Sequence, residues 1–140
     1  MADAQPPHNA VDDGRSVVLS IPAQHEQLPI IRLLTEAVAM RNDCTLDQAA
    51  DLKLAVDQIC TLLIAAAAPG AGLVCHYTAD EHTFEAAITA TTAADWRPED
   101  GSLEWRILRA LAGTLSVSQH PTDSQLANET TVVVRTRKPL

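Results

Sequence analysis

Aromatic side chains are scarce: two Trp, one Tyr and one Phe make up 3% of the 140 residues. A core without large rings must be assembled from Leu, Ile, Val and Ala, packed closely because each side chain buries little area. Glycine is sparse and scattered, at positions 14, 70, 72, 101 and 113. A phosphate cradle needs clustered glycines so that backbone N–H groups can approach the anion. With neither a Walker A motif nor a G-x-S-x-G elbow, P-loop and elbow-type hydrolase chemistries are excluded. Positive charge is also short, with 10 Lys and Arg against 18 Asp and Glu, a net charge of −8. That balance argues against direct DNA or RNA binding. An acidic surface is either simply solvated or steers the chain toward a basic protein partner.

Three cysteines, Cys44, Cys60 and Cys75, form no CxxC pair. Their odd number and the lack of a signal peptide point to a reducing cytoplasm. Cys60 and Cys75 fall on apolar faces and read as small core residues. Of the five histidines, only His76 adjoins another ligand type, Cys75. Strand neighbours point to opposite faces, so no metal site is expected. The longest apolar run, 62–69, is too short to span a membrane.

Length indicates one domain. Residues 1–15 carry Pro, Asn, Asp and Gly without periodicity and read as a mobile tail before a domain over 16–138. A short strand over 16–21 ends at Pro22. The first helix is expected over about 24–40, with Leu28, Ile31, Leu34 or Thr35, and Val38 as its apolar stripe and Pro29 in its first turn. Thr45 followed by Gln48 predicts a capping box opening a second helix over 46–67. On it Leu52, Val56, Ile59 and Leu63 share one face, and Pro69-Gly70 stops it. Leu73, Cys75 and Tyr77, then Phe84, Ala86, Ile88 and Ala90, alternate as a hairpin with one face on a core. A polar stretch over 91–100, a third helix over 103–112, a strand over 114–118, a loop over 119–128 and a strand over 129–137 complete the chain. This order predicts an α+β fold: a two-layer α/β sandwich with a mixed, mostly antiparallel sheet and three helices on one face.

The stretch DLKLAVDQICTLLI at 51–64 resembles the second long helix of RsbW/SpoIIAB-type anti-sigma factors, serine kinases of the GHKL (Bergerat-fold) ATPase superfamily. Asp51, Leu52, Leu54, Ala55, Val56, Cys60, Thr61 and Ile64 match the pattern D-L-x-L-A-V-x-E-A-C-T-N-x-[IV]. Arg106-Ile107-Leu108-Arg109-Ala110-Leu111 matches a second motif, and Thr130-Thr131-Val132-Val133-Val134 resembles the family's closing strand. The resemblance covers about 16–138 and implies the same order of elements.

Several family positions are altered. Where the family carries a general-base Glu and, one turn on, a Mg²⁺-holding Asn, this chain has Gln58 and Leu62. A neutral amide cannot accept the substrate proton as a carboxylate does, and Leu offers a metal no oxygen. At the place of the adenine-reading D-x-G-x-G motif stand Thr91, Thr92, Ala93, Ala94 and Asp95, without glycine. Asp95 is either a displaced remnant of that motif or a solvated loop acid. The lid's G-x-G-L is replaced by Ser102-Leu103-Glu104-Trp105, which would set the Glu104 charge against triphosphate oxygens. Trp105 reads instead as a core anchor.

The resemblance thus implies a cytoplasmic anti-sigma factor of the stress-response type that sequesters an alternative sigma factor and is countered by an anti-anti-sigma factor. No catalytic residue is expected, and no cofactor, with ATP and Mg²⁺ the two the resemblance leaves open. The alternatives are an active serine/threonine kinase acting on an anti-anti-sigma factor, and a decoy that binds only anti-anti-sigma proteins. Family members touch both partners with an Arg on the first helix, and some dimerise through the first strand and helix. The matching position is Arg32, either a partner contact or an exposed Arg paired with Glu36 at i, i+4.

Overall fold

The computed structural model describes residues 16–99 and 101–139. The expected tail over 1–15 lies outside the described residues. Strand β1 (Val17–Pro22) leads through a 3₁₀ turn (His25–Gln27) into α1 (Leu28–Arg41) and α2 (Leu46–Ala66). Strands β2 (Gly72–Ala79) and β3 (Thr83–Ala93) follow, then α3 (Leu103–Leu111), β4 (Thr114–Pro121) and β5 (Ala127–Arg137). The strands form one sheet in the order β1-β2-β3-β5-β4. The three helices share a core with one face of that sheet, as the α+β reading required. Every pairing is antiparallel, so the sheet is not mixed.

Helix α2 begins as its sequence dictates. The Thr45 hydroxyl accepts the Gln48 N–H at 3.0 Å and the Gln48 side chain accepts the Thr45 N–H at 2.9 Å, which satisfies two otherwise orphaned donors. Leu52, Val56, Ile59 and Leu63 are all buried, and Ala49, Ala55 and Cys60 beside them let neighbouring elements approach closely. The helix ends at Ala67, whose extended ψ of 140° turns the chain toward Pro69 and a left-handed Gly70 with φ of 75°.

On α1 the inward position left open between Leu34 and Thr35 is taken by Thr35, which is fully buried. Its hydroxyl donates to the Ile31 carbonyl at 2.7 Å and lies 2.7 Å from the Tyr77 hydroxyl. One hydrogen-bonded pair therefore ties α1 to β2, and burial holds the Tyr77 phenol well above its ordinary pKa. Helical winding in α1 starts at Leu28, later than the expected 24, because the preceding residues form the 3₁₀ turn; Pro29 sits in the first turn. Tyr77 and Phe84 stack with ring centroids 6.4 Å apart, and Trp105 is buried as expected of an anchor.

The alternation in β2 and β3 holds: Leu73, Cys75, Tyr77, Phe84, Ala86, Ile88 and Ala90 all face the core. The strands run further than their apolar residues do. Strand β3 continues through Ala93, paired with Ala127, where a polar stretch from 91 was expected. Strands β4 and β5 reach Pro121 and Ala127, which shortens the expected 119–128 loop to a turn over 122–126. That turn is closed by the Thr122 N–H on the Ala127 carbonyl at 2.9 Å and by Gln125 at φ of 59°. Polar residues continue these strands because the ladder satisfies their backbone and the far face of the sheet meets water.

Two substitutions test this account. Thr45→Ala should lower unfolding free energy by about 1 kcal/mol with an unchanged denaturant slope. Gly113 joins α3 to β4, and a Cβ there would stand 2.6 Å from the Arg135 carbonyl oxygen. Gly113→Ala should therefore cost roughly 1–3 kcal/mol, read from the urea midpoint; an unchanged midpoint would show that the junction relaxes freely.

Candidate functional site

Two regions bear on function: the flank of α2 that carries Gln58 and Leu62, and the outer face of α1. On the first, Gln58 and Leu62 lie one turn apart and both are half-buried. Leu62 packs against the core cluster, so its isobutyl group extends the apolar surface of α2. Helix α3 packs on α2 and opens with Ser102, whose hydroxyl accepts the Trp105 N–H at 3.3 Å as an N-cap. Glu104 is exposed in the first turn of α3, where an acid is favoured by the helix dipole. Ser102 and Glu104 thus have local structural roles. Asp95 is exposed at the turn that leaves β3. Among the described residues no group of three His, Cys, Asp or Glu side chains is placed to hold a metal ion.

Sequence reasoning missed a polar cluster at the exit of β3. Thr92 is fully buried, and its hydroxyl lies 2.8 Å from that of Thr130 on β5. The Gln119 side chain on β4 donates to the Thr130 hydroxyl at 2.9 Å and to the Trp96 carbonyl at 3.2 Å. Asn128 donates to the Ala94 carbonyl at 3.2 Å. Extending the alternation of Phe84, Ala86, Ile88 and Ala90 by two residues places Thr92 inward, but the rest of the cluster, on β4 and β5, lies out of reach of that local pattern.

On the outer face of α1, Arg32 is exposed, but its partner is not Glu36. Its Nε donates to the Asp57 carboxylate of α2 at 2.6 Å, while Glu36 accepts from Lys53 of α2 at 3.3 Å. An Arg placed N-terminal to a Glu is the weaker i, i+4 order, and the adjacent helix offers each charge a better-placed opposite. The two pairs form a ladder along the α1–α2 seam. Beside it runs an apolar stripe at helical spacing, Ile30, Leu33, Ala37 and Met40, on the side of α1 turned away from the core. Leu33 is 71% exposed, Ile30 53% and Met40 44%. Leu54 of α2, next to Lys53, is also exposed, and β1 forms one edge of the sheet close by in the chain.

Cys44, Cys60 and Cys75 lie inside the fold. All three are buried and free. A hydrogen bond with Cys75, together with burial, pushes the Cys60 thiol well above its ordinary pKa, which suppresses the reactive thiolate. No helix among the described residues is long and apolar enough to cross a membrane.

No family model matches the chain. It is 37% identical over 115 residues to the anti-sigma-F factor RsbW of Mycobacterium tuberculosis, both in strain CDC 1551 / Oshkosh and in strain ATCC 25618 / H37Rv. The aligned stretch covers 80% of this chain and 67% of each relative. With that identity and coverage, on an α+β fold with helices layered over one face of the sheet, the chain belongs to the RsbW-type anti-sigma factor family.

Proposed function

We propose that this chain is an anti-sigma factor that sequesters a sigma factor by protein–protein contact and needs no nucleotide to do so. The observation that carries the reading is the pair Gln58 and Leu62, half-buried one turn apart on α2. At those positions a serine kinase of the family would need a carboxylate and a metal-binding oxygen. A Gln side chain does not take up a proton at neutral pH, and a Leu side chain has no lone pair for Mg²⁺. The residues present therefore do not fit a Mg²⁺–ATP site, and no phosphoryl transfer step is assigned to them.

The binding surface in this reading is the outer face of α1, with the Ile30–Leu33–Ala37–Met40 stripe as its apolar centre and Arg32 at its border. An apolar helical face rimmed by charges is the form in which a partner helix or a second copy docks. The same face with the β1 edge would serve a homodimer, and an anti-anti-sigma factor would release the sigma factor by competing for Arg32. The net charge of −8 suits approach to a basic partner surface.

A pull-down tests the reading. The purified chain should retain its cognate sigma factor equally with and without ATP and Mg²⁺, and an anti-anti-sigma protein should displace it. Clear phosphate transfer from ATP to a serine of that protein, lost on changing Gln58, would instead establish the kinase alternative. Capture of the anti-anti-sigma protein without any sigma factor would establish a decoy.

The role of Arg32 is separable from its ion pair. Exposed pairs contribute about 0–1 kcal/mol, so neither Arg32→Ala nor Asp57→Ala should unfold the chain. If Arg32 touches the partner, Arg32→Ala should weaken sigma binding by about tenfold or more while Asp57→Ala changes it little. Equal losses in the two variants, measured by calorimetry, would show that only the seam between the helices matters.

A further inference from the structure

The inner side of β4 is the least covered part of the sheet. Val117 stands opposite the buried Val132 and points toward the helices, yet it is 37% exposed. At the next inward position, Gln119 bridges two elements through one nitrogen, donating to the Thr130 hydroxyl of β5 and to the Trp96 carbonyl in the segment after β3. Asn128, itself buried, holds the Ala94 carbonyl of the same segment. The Arg97 guanidinium donates to both of those carbonyls at 2.9 Å. Trp96 packs partly buried against the core. Residues 94–97 are thus held down over this end of the sheet by two strand carboxamides.

A base-binding cleft presents donors and acceptors that a ligand's edge will complete. Here each such group is already completed within the chain: Thr92 by Thr130, Thr130 by Gln119, and the carbonyls of Ala94 and Trp96 by Asn128 and Gln119. Among the described residues no buried side-chain nitrogen or oxygen lacks a partner. A ligand arriving here would have to break these bonds before making its own.

We infer that Gln119 is an internal stopper: its carboxamide takes the place of a bound nucleotide's base, joining Thr130 to the Trp96 carbonyl and holding 94–97 closed over the inner side of β4. The inference rests on the nucleotide-independent reading above. It extends that reading from missing catalytic groups on α2 to a closed base end formed by β3, β4 and β5.

The test titrates the full chain and its Gln119→Ala variant with ADP by calorimetry and follows hydrogen–deuterium exchange in the same samples. The stopper predicts ADP binding at least about tenfold tighter in the variant than in the unmodified chain. It also predicts faster exchange over 94–99 with unchanged exchange over 46–66. Gln119→Glu keeps the length and an acceptor for Thr130 but loses the donor to Trp96, so it should open the segment similarly and serves if the alanine variant fails to fold. ADP affinity that is equal in all three proteins, or equally absent from all three, overturns the inference, as does unchanged exchange over 94–99. Sigma-factor retention is measured alongside. Retention with no gain of ADP binding sinks the stopper alone, whereas no retention by any form sinks the reading beneath it.

Discussion

The packing of α2 against α1 and against the sheet is the interaction on which the remaining structure depends. Three of the four aromatic rings are buried in the core and the fourth, Trp96, packs partly buried against it, so no further ring is left to fill a gap. Leu52, Val56, Ile59 and Leu63 supply the bulk, and Ala49, Ala55 and Cys60 keep the backbones close. Each fully buried aliphatic side chain contributes roughly 1.5–3 kcal/mol, so four of them far outweigh the two ion pairs on the α1–α2 seam, at about 0–1 kcal/mol each. The seam charges are therefore dispensable to the fold. Their placement can answer to a partner instead.

A polar pair inside the core sets the direction of α1. Thr35 and Tyr77 satisfy one another where no water reaches, and leaving either hydroxyl alone would cost about 1–3 kcal/mol. Rotating α1 to bury Leu33 or Met40 would break that pair. The hydrogen bond thus keeps Ile30, Leu33, Ala37 and Met40 facing outward, in spite of the apolar area they expose. An acidic net charge opposes self-association through such a stripe at a distance, while leaving a complementary partner able to cover it.

How much of this was legible in the sequence differed by element. The capping box at Thr45 and Gln48, the α2 face and the inward set of β2 and β3 were readable because each follows from one local rule: a cap, a helical period or a strand alternation. The far ends of β3, β4 and β5 were not. There Thr92, Gln119 and Asn128 face inward, and polar residues at inward positions look like loop until their partners are known. Those partners lie 11 to 38 residues away in the chain, beyond any local pattern. The pairing of Arg32 with Asp57 was hidden for the same reason, since it spans 25 residues while Glu36 stood one turn away.

The core face of α2 and its flank answer to different constraints. The core face is fixed by packing, and any polar residue there would be buried without a partner. The flank carrying Gln58 and Leu62 is only half-buried, so either a polar or an apolar side chain is tolerated, and Leu62 adds contact with the core. On the proposed reading, the chemistry of a kinase could be given up on this flank with no cost to the scaffold. The face of α1 that would meet a partner lies across the helix layer, where it is held by Thr35 and Tyr77 and not by a bound nucleotide. Binding and catalysis are then physically separable in this fold, because the groups that orient the binding face are not those that would have handled ATP.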